Sequence, residues 1–370
     1  MKRKFLIIII IFAFFLSGSA YENIIEDQLE SAQNSNFIEH VPENAENILH
    51  SLGLDVLEIE TFSEITFKDL IGIVCESFIQ NFKKPFKTIA LIVSAVIVCS
   101  VIQSFSDSSG CTETVSNTVI TLIAASAFFI PLKEIIIYTT KIIEECSDFM
   151  LSFIPVYSSA IAASGYFSSA TGFRSLMLAA VTIISRISGE IIVPLIMIYL
   201  ALCISGSVSS VNADEIAKTV KNFSVWMLTA LLTVFSGILG IGTLVSSTAD
   251  GNISKTAKFL IGTTVPIVGS TVSDAMSTVK SCISVTKNIL GIYAIVVISA
   301  IFIPPIISII LWKFSVSFSY AAGSIFGNKP LLKLLDSVSC VIGIILALVI
   351  IIAIMFIFAV SIMLMVGSGT

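Results

Sequence analysis

Only a few ionisable side chains interrupt the apolar part of this chain, and three of them stand where a polar solute could be contacted. Arg186 and Glu190 are four residues apart, so an α-helix would place both on one face. Ionisable groups at membrane depth are costly and face a protein interior or a water-filled cavity. Two interpretations stay open for this pair: an intrahelical ion pair near the interface, or a pair that contacts a substrate or gates a passage. Asp274 either ends a half-helix in a polar cavity or lies in a surface loop.

Two polar segments rich in small residues lie among the apolar runs. Residues 153–165 read FIPVYSSAIAASG, and residues 264–276 read TVPIVGSTVSDAM. Non-helical backbone at membrane depth survives only where protein or a water-filled cavity shields it, so the pattern predicts two re-entrant or broken helices. Close helix packing through small residues is the alternative. The candidate cavity or packing residues are Pro155, Tyr157, Ser158, Arg186, Glu190, Pro266, Gly269, Ser273 and Asp274.

The composition identifies the surroundings of these segments. The chain has 370 residues, of which 56% are hydrophobic and 12% charged, and its mean hydropathy is +1.02. These values exclude a soluble globular protein. Residues 344–357 show none of the alternation of a transmembrane barrel strand. We therefore predict an all-α, polytopic helical membrane protein with about six to eight membrane segments. The net charge of -5 is not a nucleic-acid footprint.

The N-terminal part differs from the rest. Residues 1–20 have the basic start, apolar run and small-residue end of a signal peptide, with a retained signal anchor as the alternative. Residues 21–66 form an acidic segment that we expect to be exported, either as a spacer or as a docking element. Residues 67–84 predict an amphipathic helix, lying in the membrane interface or packed on another helix. Lys83, Lys84 and Lys87 would then be on the outer side, in conflict with later lysines.

Residues 85–370 form the predicted membrane domain, which contains two similar passages. A spanning helix needs about 20 apolar residues. In residues 115–205 and 225–312, a span is followed by a charged piece, an interrupted segment and another span. Two corresponding interrupted segments are typical of transporter-like repeats, although chance similarity between packing helices would look the same. The candidate spans are residues 88–105, 115–132, 187–205, 225–246, 289–312 and 338–366.

Common catalytic motifs are absent from the sequence. There is no HExxH, GxGxxG or Walker A motif, and the two histidines, His40 and His50, lie outside the predicted membrane part. The seven cysteines form no CxxC motif, so we interpret them as small apolar core residues. We therefore expect no enzymatic activity, no cofactor and no metal site.

Three blocks of sequence carry a resemblance to a known family. They are FIPVYSSAIAASG at residues 153–165, the stretch from Trp226 to TADGNISKTAKF at residues 248–259, and VPIVGSTVSDAMSTVKSCISVTKNILG at residues 265–291. With the order of the segments, they resemble the stage III sporulation protein AE family over nearly the whole chain. The family usually has a glycine pair after the PIV element, whereas here Gly269 is followed by Ser270.

The resemblance implies a non-enzymatic membrane subunit of a sporulation channel complex, in the mother-cell membrane around the engulfed forespore. It implies as partners the other stage III sporulation A-operon proteins, including a separate ATPase, and indirectly stage II sporulation protein Q. The exported N-terminal segment would lie in the intermembrane space, and membrane lipid would surround the helices. The subunit would be a permease-like core or a scaffold that only anchors the complex. An independent secondary transporter is a further alternative.

Overall fold

The computed structural model describes residues 38–51, 72, 75, 77–79, 82–105, 110–164, 166–208, 214–264, 269–325 and 329–365. Every regular element within these residues is a helix. The predicted signal peptide lies outside them. In chain order the elements are a 3-10 turn (Ile38–His40), α1 (Glu43–Ser51), α2 (Lys83–Phe105), α3 (Gly110–Ala163), α4 (Phe167–Arg186), a π-helical turn (Ile187–Ile192), α5 (Val193–Val208), α6 (Asp214–Thr264), α7 (Gly269–Ile325) and α8 (Lys329–Met365).

Five helical stretches in the described part are long and apolar enough to cross a membrane. Part of α2, Pro85–Ala95, is a shorter apolar helix. These observations confirm the predicted all-α, polytopic membrane fold. The stretches are Thr118–Ala163, Phe167–Ser207, Asp214–Gly240, Val285–Ile325 and Lys329–Met365.

The core of the bundle is the antiparallel hairpin of α7 and α8. The ring centroids of Phe302 and Phe356 are 6.3 Å apart across this hairpin, and Gly291 faces Leu364 near one end. Residues 289–312 of α7 and 337–365 of α8 contain no charged side chain. We use the level of residues 289–312 as the membrane depth, since about 1.5 Å of rise per residue makes this run about 35 Å long.

The long helix α3 packs antiparallel to α7. The ring centroids of Phe149 and Tyr293 are 6.5 Å apart. At the other end, α2 begins beside α7, where the Ser315 hydroxyl donates a hydrogen bond to the Pro85 carbonyl at 3.1 Å, and α2 also contacts α3.

The Lys333 ammonium of α8 contacts the Gly206 carbonyl at the end of α5 and the Asp214 carboxylate. The continuous stretch Phe167–Ser207 therefore runs toward the Ser315 end. Because α3 reverses into α4, it runs the opposite way, and its middle lies at the membrane depth.

The predicted break in residues 153–165 lies at the C-terminal end of that segment. Pro131 and Pro155 both lie inside α3, which is 54 residues long and continues to Ala163. A proline inside a helix removes one backbone hydrogen bond, but neighbouring helices and serine hydroxyls allow a membrane helix to continue. The chain then reverses, with the Tyr166 amide donating to the Ile161 carbonyl, and α4 packs back against α3.

The two ends of the bundle differ in charge. The short helix α1 contacts α7, burying Ala45 and Leu49 and leaving Glu43 and Glu46 exposed. Glu46 is close enough to Tyr293 for an electrostatic interaction. The described part of the acidic segment therefore packs on α7, and the choice between a spacer and a docking element stays open.

The opposite end, at Ser315, is basic. Tyr293 and Ser315 are 22 residues apart on one helix, or about 33 Å. Exposed aromatic side chains accompany the lysines here, including the stacked pairs Phe82–Phe86 and Phe223–Trp226. Aromatic and basic residues together mark a membrane–water interface, and we call this the basic end. Its lysines are Lys83, Lys87, Lys218, Lys221, Lys313, Lys329 and Lys333.

The packing of α2 on α7 bears on the predicted conflict among the lysine positions. Lys83 and Lys87 flank Pro85, whose carbonyl accepts from Ser315, two residues from Lys313. Lys83 and Lys87 therefore lie at the same end of the described bundle as Lys313, and the side of the membrane on which this end lies stays a prediction. Long-range packing of α2 on α7 decides the end of the bundle at which Lys83 and Lys87 lie. Counting charges along the sequence does not register this packing. The predicted interfacial helix at residues 67–84 falls mostly outside the described residues.

Candidate functional site

The first interrupted segment forms a packing face within α3. Phe149, Phe153 and Tyr157 are fully buried and follow one another at i, i+4 spacing, with ring centroids 5.8 and 5.5 Å apart. Ser158 is buried, and its hydroxyl donates a hydrogen bond to the Ile154 carbonyl at 2.7 Å. The hydroxyl therefore has its hydrogen-bond partner within its own helix. The Tyr157 hydroxyl is buried without a partner among the described residues. Pro155 is half-buried beside them.

Arg186 and Glu190 flank a π-helical turn. Both side chains are exposed, and they form no ion pair with each other in the described part of the chain. The π turn at Ile187–Ile192 follows Arg186 directly. In a π turn the hydrogen bonds run from i to i+5, so the i, i+4 geometry expected for an α-helix does not hold. A π turn inserted in an α-helix is frequent at functional sites.

The second interrupted segment, residues 264–276, lies largely outside the residues whose side chains the structure describes. Pro266 falls between Thr264, where α6 ends, and Gly269, where α7 begins. Gly269, Ser273 and Asp274 belong to the first turns of α7, but their side chains lie outside the described residues. The roles predicted for these four residues, and the internal repeat, therefore stay predictions.

A second group of ionisable residues lies between the predicted elements of the first repeat. Six charged side chains occur in residues 133–148 of α3. Phe149 contacts Tyr293, and Lys141 is eight residues earlier, or about 12 Å back along α3. Because α3 and α7 are antiparallel, Lys141 lies at the level of residue 301, in the middle of the apolar run. The charged piece is therefore at membrane depth.

These charges lie on the outer surface of the bundle. Lys133, Glu134, Glu144 and Asp148 are exposed. The Lys141 ammonium pairs with the Glu145 carboxylate at 3.1 Å, with side chains 63% and 24% exposed. The opposite face of α3 is apolar and buried, formed by Ile135, Ile136, Ile142, Ile143 and Cys146.

Arg186 and Glu190 lie at matching levels on the neighbouring helix. The chain reverses between Ser164 and Tyr166, so residues equally far from position 165 are level with one another. Arg186 is thus level with Glu144, and Glu190 is level with Thr140, next to Lys141. Opposite charges therefore face the same depth on adjacent helices. We call this set the charged flank: Lys133, Glu134, Lys141, Glu144, Glu145, Asp148, Arg186 and Glu190.

Buried polar atoms accompany the charged flank. The hydroxyls of Thr139 and Ser188 and one carboxylate oxygen of Glu145 are buried without a hydrogen-bond partner among the described residues. Buried polar atoms in native proteins nearly always bind protein or ordered water. These three atoms therefore favour hydration of the region between α3 and the π turn.

The sequence pattern indicated Arg186 and Glu190 as candidate site residues, but it indicated residues 133–148 only as the charged piece of the first repeat. The available signal was the helical spacing of the charges, with isoleucines on the other face. This spacing did not predict a membrane helix, because spans were predicted from uninterrupted apolar length.

Comparison with known proteins identifies the family. The model of the family described as stage III sporulation protein AE matches residues 56–367. The chain belongs to the stage III sporulation protein AE family. The Bacillus subtilis (strain 168) protein named stage III sporulation protein AE is 25% identical over 275 residues, which cover 74% of this chain and 68% of that protein. No solved structure matches the chain.

Membership in the stage III sporulation protein AE family confirms the resemblance found in the sequence and gives the protein a role in sporulation. The matched range includes both interrupted segments and the whole of the charged flank. It also includes the five long apolar stretches. The protein is therefore a sporulation-related integral membrane protein.

Proposed function

We propose that this stage III sporulation protein AE is the permease-like, non-enzymatic core subunit of the channel complex that links mother cell and forespore. In this proposal it lies in the mother-cell membrane, with its N-terminal segment in the intermembrane space. The other stage III sporulation A-operon proteins, including a separate ATPase, and indirectly stage II sporulation protein Q are its partners. The single observation that supports a permease-like core is the charged flank at membrane depth.

The physical argument concerns the cost of exposing charge to lipid. An ionised side chain in the centre of a membrane helix costs about 2.5–3.5 kcal/mol when lipid surrounds it. The charged flank holds eight such groups, whereas the α7–α8 hairpin at the same depth holds none. Its outward side chains therefore face water or another protein. Unpartnered polar atoms at Thr139 and Ser188 favour water, and a water-lined face fits a passage for polar solutes.

The test is the accessibility of substituted cysteines at one membrane depth. In a variant without the seven native cysteines, Lys141→Cys, Glu144→Cys and Phe358→Cys are made one at a time. Phe358 is exposed on α8 and, two residues past Phe356, lies level with Lys141. Membranes isolated from sporulating cells and opened to solvent on both faces are then treated with a membrane-impermeant thiol reagent.

We expect positions 141 and 144 to react at least about tenfold faster than position 358, because only a hydrated thiol ionises to the reactive thiolate. Equal protection of all three positions in the assembled complex would contradict the permease-like core. If positions 141 and 144 react in the isolated protein and become protected only in the complex, the scaffold is supported instead. A phenotype of the deletion in vegetative cells would support an independent transporter.

A further inference from the structure

A cavity of about 440 Å³ lies between α6, α7 and α8 at the basic end. Lys313 from α7 and Asp336 and Ser339 from α8 line one part of it, and Ile344, Ala347 and Ile351 line the other. Fifteen residues separate Asp336 from Ile351 on α8, or about 22 Å. The cavity is therefore an elongated crevice, polar at one end and apolar along its length.

The polar end of the crevice lies at the membrane–water interface. Lys313 is two residues from Ser315, which contacts Pro85. Its ammonium lies 3.6 Å from the position that a Cβ at Gly343 would occupy, so the lysine reaches across to α8. On α6, Val225 lines the cavity and adjoins exposed Trp226. The apolar end points along α8 toward Phe356, into the membrane.

The crevice opens toward the surroundings of the bundle. Val225 lines it and is 44% exposed, and Thr229, one turn farther along α6, is also exposed and lines it. At this depth the surroundings of α6 are the membrane. A narrow apolar space that opens sideways into lipid and ends at polar groups fits an acyl chain joined to a headgroup.

The charges at the polar end specify the headgroup. Lys313 and Asp336 line the same cavity but form no ion pair with each other in the described part of the chain. Asp336 also lines a smaller adjoining cavity of about 180 Å³. Lys221 on α6 lies within electrostatic reach of Asp336 but does not line this cavity. Within the cavity, one cation therefore suits a phosphate, and one carboxylate suits an ammonium group. A purely anionic headgroup would satisfy Lys313 and be repelled by Asp336.

We propose that this crevice binds a phospholipid whose headgroup carries both a phosphate and a primary ammonium group, namely phosphatidylethanolamine. Lys313 binds the phosphate, Asp336 accepts from the ammonium group, and an acyl chain lies along Ile344, Ala347 and Ile351. The site is formed by α6, α7 and α8, whereas the charged flank lies on α3, α4 and the π turn, and lipid binding requires no solute passage. The proposal is therefore independent of the proposed function.

The experiment measures lipid binding to the full chain in detergent micelles. Phosphatidylethanolamine and phosphatidylglycerol with the same acyl chains are titrated separately, and binding is followed by native mass spectrometry and by the melting temperature. Phosphoethanolamine, which has the headgroup without acyl chains, tests whether the headgroup alone suffices. We expect phosphatidylethanolamine to bind about tenfold more tightly than phosphatidylglycerol, the effect of one charge-assisted hydrogen bond, and phosphoethanolamine to bind negligibly.

Three variants assign the effect to the crevice. Asp336→Asn should remove the preference between the two lipids, and Ala347→Trp should fill the crevice and weaken both. Ile354→Trp, on an exposed part of α8, is the matched control and should bind like the unaltered protein. Equal binding of both lipids by the unaltered protein, or a preference that Asp336→Asn retains, overturns the proposal. Since Asp336 is exposed, its variant should fold even if Ala347→Trp does not.

Discussion

Two outward faces of the bundle lie at one depth and differ completely in chemistry. Around Lys141, the outer face of α3 carries both signs of charge. Around Phe358, the outer face of α8 is apolar, with Ile354 and Phe358 both exposed. The two faces are thus similar in exposure and depth. Covering the charged face of α3 with lipid would cost free energy, whereas covering the apolar face of α8 with lipid would not. The difference teaches that the bundle has a lipid side and a non-lipid side, and that depth alone does not make a helix face apolar.

The largest expected effect is the loss of an inner aromatic ring on the lipid side. Phe356 is fully buried against Phe302, so Phe356→Ala leaves a cavity between α7 and α8 and should lower the free energy of unfolding by about 3–5 kcal/mol. Phe358→Ala, two residues away but exposed, should change it by less than about 0.5 kcal/mol. Unfolding by a denaturing detergent, followed by fluorescence of buried Trp312, gives both values; equal losses would refute the assigned facing of α8.

The next effect comes from placing a charge on each face. Phe358→Lys should cost about 3 kcal/mol in membrane insertion, because its ammonium would enter lipid. Glu144→Lys, at the matching depth on the charged flank, also introduces an ammonium but should insert normally. The amount of inserted protein in membrane fractions measures the difference. If both variants lose insertion equally, the contrast between the two faces is incorrect.

The smallest effect concerns the ion pair on the charged flank. Lys141 and Glu145 are joined at 3.1 Å, and an i, i+4 pair in contact with water contributes only about 0.3–0.5 kcal/mol. Lys141→Ala should therefore lower the free energy of unfolding by no more than that. Raising the salt concentration should reduce even this difference. A loss of several kcal/mol would instead indicate that the pair is buried from water, as in a lipid-covered or partner-covered face.

The sequence predicted the apolar helices of the hairpin better than the helix around Pro155. The apolar runs at residues 289–312 and 338–366 predicted α7 and α8 well, because continuous apolar length is what a bilayer requires. The segment around Pro155 predicted an interruption, whereas the helix continues to Ala163. A proline weakens a helix locally, but the aromatic column at Phe149, Phe153 and Tyr157 holds this one against the core.

Arg186 and Glu190 show a similar division. Their cost at membrane depth was evident from their type, but their mutual geometry was predicted for an α-helix, and the π turn at Ile187–Ile192 depends on packing between helices. The charges of residues 133–148 were visible in the sequence. Their importance appeared only when the contact of Phe149 with Tyr293 placed them level with the apolar core.

The sequence by itself determined that this protein is an all-α, polytopic membrane protein of the stage III sporulation protein AE family, because apolar length and family motifs are local properties. Tertiary structure alone decided which levels and faces coincide. It set Lys141 level with the apolar run of α7, Lys83 at the end that holds Lys313, and Lys313 together with Asp336 in one crevice. Depth and facing depend on contacts between residues far apart in the chain, such as Ser315 and Pro85, which neither periodicity nor composition records.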